Sequence, residues 1–153
     1  MDKIQQNQIR RLQDNLSSIR KIAGWTAEQL GEKIGVTKQT ISNLENNKSP
    51  MNLTQYIAIR SVLDHEIQSN PENTVLPEVI TILLDKDDID ENKYDEVKKA
   101  VSVAAVSAAG GIGGATLAGI LTGLFTPLGI ALPIASGITG INVARWLSKI
   151  IKK

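Results

Sequence analysis

The stretch that decides the fold is GWTAEQLGEKIGVTKQTISNLENNKS, Gly24–Ser49. Thr26 stands three residues before Gln29, a spacing in which each side chain satisfies the other residue's orphan N–H at a helix start. Leu30 and Ile34 supply the buried side of that helix, and Gly35 ends it in a turn suited to positive φ. Thr37 caps the next helix, Lys38–Glu45, whose buried positions are Ile41 and Leu44. Asn46 and Asn47 end it, because asparagine tolerates the left-handed conformation. Two short helices joined by a glycine turn make a helix-turn-helix unit.

The pattern continues on both sides. Ile9, Leu12, Leu16, Ile19 and Ala23 recur at three- and four-residue steps, which predicts a helix over about residues 8–22, stopped by Gly24. Leu53, Tyr56, Ile57 and Leu63 predict another from about Asn52. Trp25 is expected to pack over the first interhelical junction, and His65 to be a surface or capping group. The segment Gly24–Ser49, with YIAIRSVLD at Tyr56–Asp64, resembles the phage repressor and Cro, or XRE-type, DNA-binding family over about residues 8–68. Gly31 stands where that family more often has alanine, a departure expected to cost some helix stability.

The resemblance implies which side of Lys38–Glu45 meets DNA. With Ile41 and Leu44 turned inward, Lys38, Gln39, Ser42 and Asn43 face outward and match the family's major-groove positions. Gln39 suits adenine N6/N7, Asn43 is a second amide reader, and Lys38 suits guanine or a phosphate. Thr40, Lys48 and Thr26 are expected beside the phosphate backbone. Arg10, Arg11, Arg20 and Lys21 are expected to add positive field.

Charge is segregated along the 153 residues. Residues 1–60 carry nine Lys/Arg and five Asp/Glu, residues 61–97 two and eleven, and residues 98–153 six and none. Three segments follow: a DNA-binding domain at 1–68, an acidic linker with a short helix at 69–96, and an apolar helical hairpin at 97–153. Within the linker, Ser69-Asn70-Pro71 and Pro77 break the helical pattern, and Glu78–Leu84 is apolar enough to pack. Asp85–Glu96 approximates a calcium loop but puts Ile89 and Asp90 where the loop needs an oxygen ligand and a glycine. The acidic segment is also a candidate screen for the basic DNA-binding unit.

From Ala100 to Ala144 no side chain is charged. That length fits two membrane-spanning helices, expected at about 97–125 and 133–151 with a turn at Thr126–Gly129. Lys98, Lys99, Arg145, Lys149, Lys152 and Lys153 flank the stretch, which predicts both ends on the cytoplasmic side, with Trp146 as an interfacial aromatic. Ser107, Gly111, Ala115, Gly119 and Gly123 recur every four residues, beside a second row of Gly110, Gly114 and Ala118. Ser136, Gly140 and Ala144 repeat the step, a pattern for close helix packing.

The expected fold is all-α: a five-helix repressor-like helix-turn-helix domain plus a C-terminal Gly/Ala-rich helical hairpin. The expected function is a sequence-specific DNA-binding transcriptional regulator, repressor-like. Its partners are double-stranded DNA, further copies of itself and, through residues 100–147, a membrane. The DNA-binding domain is then cytoplasmic. The alternatives are a membrane-active pore former controlled by its N-terminal domain, and a soluble repressor with a C-terminal oligomerisation domain. The absence of Cys and the single His leave no thiolate or His-rich metal site. No nucleophile, base and orienter assemble, so no enzyme, catalytic residue, metal or cofactor is expected. The polar start MDKIQQNQIRR is not a secretory signal.

Overall fold

The computed structural model describes residues 3–85, 90–111, 114–129, 146–148 and 150, all helix or turn with no strand among them. The helices are α1 (Lys3–Asp14), α2 (Leu16–Ala23), α3 (Ala27–Ile34), α4 (Lys38–Glu45), α5 (Leu53–Ser69), α6 (Val75–Ile80), α7 (Glu91–Ala109) and α8 (Gly114–Phe125). A π-helical turn, Thr81–Asp85, extends α6, and a 3-10 turn, Thr126–Leu128, ends α8. The fold is all-α, as expected.

The stripe Ile9, Leu12, Leu16, Ile19 and Ala23 is buried, but it lies on two helices and not one. Asn15 separates them. Its side chain is buried, with Nδ2 donating to the Arg11 carbonyl at 2.8 Å and to Tyr94 Oη at 3.1 Å. A side-chain amide that bonds the backbone four residues back competes with helix continuation. The Tyr94 hydroxyl in turn donates to Asp14 at 3.1 Å. Burial, reinforced by the Asp14 charge, pushes the Tyr94 phenol well above its ordinary pKa. It therefore stays a neutral donor, fastening α7 to the α1–α2 corner.

The segment expected as a linker contributes a stretch of the core. All six residues of α6 are buried, as are Ile82, Leu83 and Leu84. Pro77 does not break this helix; it occupies the first turn, where its missing N–H has no intrahelical partner to lose. Asp90 caps α7, its carboxylate accepting from Lys93 N at 2.8 Å. The long helix thus begins at Glu91, before the expected 97. It lies along α2, with Tyr94, Val97, Ala100, Val101, Ala104 and Ala105 buried. The hydrophobic cluster runs continuously from Ile9 to Ile150, across both composition boundaries.

The helix expected over 97–125 is interrupted. Gly110 ends α7 and Gly111 takes φ +89°, a conformation L side chains rarely adopt. The chain folds back there, so α7 and α8 pack against each other; the expected break at Thr126–Gly129 is present as well, as a 3-10 turn closed by Gly129 at φ +71°. No described helix is long and apolar enough to cross a membrane. α8 has 12 residues, about 18 Å at the usual rise, against about 30 Å of hydrocarbon.

The four-residue row of small side chains is divided by the same turn. Ser107 is half-buried on α7, Gly111 is in the turn, and Gly119 and Gly123 are exposed on α8 with open space where a Cβ would stand. Ala115 lies in α8, but its side chain is outside the described residues. So are Ser136, Gly140, Ala144, most of the expected 133–151 helix and the calcium-loop positions 86–89. Trp146 is not an interfacial aromatic: it is buried against α5.

Candidate nucleic-acid interface

The unit α2–α3–α4 is built by local rules. Gly24 caps α2 at φ +85°. The reciprocal cap at α3 is complete, with Gln29 N donating to Thr26 Oγ1 at 3.0 Å and Thr26 N to Gln29 Oε1 at 2.8 Å. Gly35 takes φ +77° and Val36 N donates to the Gly31 carbonyl at 2.9 Å. The turn crosses α3 so closely that a Cβ on Gly31 would stand 2.7 Å from the Val36 oxygen. Gly31 is therefore the residue this turn requires, and the stability expected from alanine is not available here. Thr37 caps α4, its Oγ1 accepting from Thr40 N at 3.1 Å.

The inner side of α4 is held in three ways. Ile41 and Leu44 are fully buried. Arg20 on α2 forks onto Glu45, Nε to Oε2 at 2.6 Å and Nη2 to Oε1 at 3.1 Å, while its Nη1 reaches the Trp25 carbonyl at 2.9 Å. Both side chains of this pair are nearly buried, and a bidentate pair fixes angle as well as distance. Gln13 on α1 spans the end of α4, donating to the Leu44 and Ser49 carbonyls at 3.0 and 2.8 Å and accepting from Met51 N at 2.9 Å. Asn47, at φ +57°, supplies the left-handed step after α4.

The outer side is open. Lys38 and Gln39 are exposed, and Thr40, Ser42 and Asn43 are half-buried. Gln39 Nε2 donates to Asn43 Oδ1 at 2.9 Å. That link joins the two amides and leaves the Gln39 oxygen, one Gln39 N–H and the Asn43 NH2 with no other partner among the described residues. A donor beside an acceptor is the complement of an adenine edge in the major groove. Ser42 Oγ accepts from Asn46 Nδ2 at 3.3 Å, and Thr40 and Thr37 share a hydroxyl contact at 3.0 Å. Thr26 and Lys48 are exposed near the two ends of the unit. Lys33 sits 4.9 Å from the centroid of the half-buried Trp25 ring.

The positive field expected from α1 and α2 is mostly committed elsewhere. Arg10 pairs with Glu91 at 3.0 Å, Arg11 reaches the Leu83 carbonyl at 3.3 Å and lies 5.0 Å from the Tyr94 ring, and Arg20 holds Glu45. These arginines fasten the fold because their acidic and aromatic partners come from distant parts of the chain. Gln13 and the Arg20–Glu45 pairing are positioning groups that local sequence does not announce, since they act across 31 to 38 and 25 residues. Two carboxylates of the acidic segment meet cations of the DNA-binding unit, Asp85 pairing with Arg60 and Glu91 with Arg10.

The helix-turn-helix family profile matches residues 16–65. Antitoxin HipB of Escherichia coli strain K12 is 33% identical over 69 residues, covering 41% of this chain and 78% of the relative. Antitoxin HipB of Escherichia coli O6:H1 (strain CFT073) is 38% identical over 53 residues, 35% of this chain and 56% of the relative. No solved structure matches. With the capped helices, the glycine turn and the open face of α4 in register with that match, the chain belongs to the XRE-type helix-turn-helix family of DNA-binding transcriptional regulators.

Proposed function

We propose that the chain is a repressor-like, sequence-specific regulator whose α4 enters the major groove of an operator. The observation that carries this reading is the contrast across α4. Its inner side is locked by Ile41, Leu44 and the Arg20–Glu45 fork, and its outer side presents a linked amide pair. Gln39 and Asn43 read base edges, Lys38 takes a guanine or a phosphate, and Ser42 makes a short-range contact. Thr26, Thr40 and Lys48 hold the phosphate backbone and set the register. The antitoxin role in the relatives' name is not carried over, because the similarity covers only 41% of this chain.

Proteins of this docking geometry bind two half-sites about one helical turn apart, roughly 34 Å, which calls for a second copy. Val103 and Val106 on α7 are exposed at 49% and 65%, and Gly119 and Gly123 leave α8 open to close approach. These groups support self-association through the α7–α8 hairpin. Anchoring through residues 100–147 finds no support in a described helix and is not part of the proposal.

Selection of binding sites from a random duplex pool tests the reading. The expected result is an enriched site with two-fold symmetry and protection of major-groove edges. Binding with no enriched sequence, or protection confined to phosphates, would overturn it.

A further inference from the structure

Helix α7 has two faces. Tyr94, Val97, Ala100, Val101, Ala104 and Ala105 are buried. On the other side Asn92, Glu96, Lys99, Val103, Val106 and Gly110 are exposed. Their spacing alternates four and three residues, and at about 100° per residue they fall within about 80° of arc. That is the seam of a coiled coil, in which each position meets a facing helix. Three large hydrophobic side chains are exposed among the described residues, and two of them, Val103 and Val106, are neighbours on this seam.

The order of groups along the seam selects what covers it. From Glu96 it runs acid, cation, valine, valine and then Gly110 at the end of the helix. α7 has no basic residue in its last turn, so the negative end of its dipole is not met by a cation of its own helix. A second α7 laid antiparallel, with Val103 over Val106, brings Lys99 of one copy opposite Gly110 of the other, where that cation is missing. The contact Lys99 makes with Glu96, 3.7 Å between two exposed groups, is weak enough to exchange. The two Lys99 side chains then lie about 16 Å apart along the axis. A parallel pair would instead set Lys99 on Lys99 and Glu96 on Glu96, like charges at core positions. Reversed, the seam is its own complement.

We propose that two copies of the chain associate through an antiparallel α7–α7 seam centred on Val103 and Val106, with Lys99 of each copy at the C-terminal end of the other's α7. The inference deepens the operator reading, and its consequence on DNA rests on that reading. Two valines per copy on a seam of about fifteen residues make a small interface, so the pair dissociates at about 10–100 µM without DNA. An operator with two half-sites holds two copies side by side and supplies the rest, so its occupation is cooperative. α2 carries the pairing inward: it packs along α7, and its Arg20 forks onto Glu45 at the end of α4.

The chain has no cysteine, so introduced thiols report polarity. Gly110 has φ −79°, and a Cβ there meets nothing closer than 3.5 Å. Full-length Lys99→Cys and Gly110→Cys chains, mixed at about 100 µM and oxidised, should cross-link to each other about tenfold more than either does alone. Preferential cross-linking of Lys99→Cys to itself would make the pair parallel and overturn the proposal, as would no cross-link above that of unfolded chains. Sedimentation of the unaltered chain should show dimer rising between about 10 and 300 µM; a monomer throughout would overturn it. Val103→Glu with Val106→Glu should unfold like the parent, because both sites are exposed, and weaken the dimer by about tenfold or more. Mixing it with a Val103→Lys, Val106→Lys chain should restore pairing. Unchanged association of the first chain, or no restoration in the mixture, would overturn the seam. On the selected operator the glutamate pair should abolish cooperativity and keep sequence preference. A chain that pairs through α7 but selects no operator fails the operator reading alone. A glutamate pair that leaves operator cooperativity unchanged fails this seam alone.

Discussion

Helices α4 and α8 are both short, 8 and 12 residues, and each is covered on one side and open on the other. They are held differently. Caps, a bidentate ion pair and the Gln13 bridge fix α4 in angle and register. Leu117, Leu121 and Phe125 hold α8 by apolar burial. Their open sides differ in the same sense. α4 presents amides and a cation, whereas α8 presents Thr116, Gly119, Thr122 and Gly123. Directional contacts on the inside accompany hydrogen-bonding groups on the outside, as a reader of base edges needs. Non-directional packing accompanies a smooth outer face that offers shape rather than hydrogen bonds.

The largest break in this contrast comes from Arg20→Ala. It leaves the nearly buried Glu45 carboxylate without its partner and costs about 2–3 kcal/mol of folding stability, read by denaturant unfolding. Operator affinity falls with it, because α4 loses its angular restraint. A cost below that of an exposed ion pair would show that α4 is held by burial alone, like α8. Gly31→Ala comes next, at about 1–2 kcal/mol destabilising, because the added methyl meets the Val36 carbonyl. A gain in stability there would show that the α3–α4 turn is looser than the structure has it.

On α8 the same change has the opposite sign. Gly119→Ala meets open space and stabilises an exposed helix by about 0.5–1 kcal/mol. If copies pack through this face, the gain is confined to dilute protein and association weakens, which sedimentation at two concentrations would reveal. The smallest effect is at Glu78, on α6. Its carboxylate is buried, Oε2 has no hydrogen-bond partner among the described residues, and desolvation raises its pKa above the ordinary carboxylate value. The folded chain therefore holds this proton more tightly than the unfolded chain. Stability falls as pH rises from the ordinary carboxylate range through the folded pKa. Glu78→Gln should melt higher than the parent at neutral pH, with the difference shrinking on acidification. A constant difference across pH would assign the effect to packing instead of charge.

Much of the α2–α4 unit was legible in the sequence because its determinants act within three or four residues. Thr26 with Gln29, Gly35, and Thr37 with Thr40 are such pairs and turns. What was misread depended on distance. Asn15 meets Tyr94 across 79 residues, and Trp146 meets Asp64 across 82. Arg10 looked like free positive charge because Glu91 is far along the chain. The Gly110-Gly111 pair was visible as small residues but fitted a packing row as well as a turn. The positive φ at Gly111, with α8 packed back on α7, decides between them.

The central claim is that the outer side of α4 reads sequence. Gln39→Ala combined with Asn43→Ala, titrated against the selected operator and against random duplex, tests it most directly. The account predicts a loss of about 2–4 kcal/mol on the operator, the sum expected for two amide contacts, and little change on random duplex, where phosphates dominate. Retained preference for the operator, or equal losses on both duplexes, would contradict it.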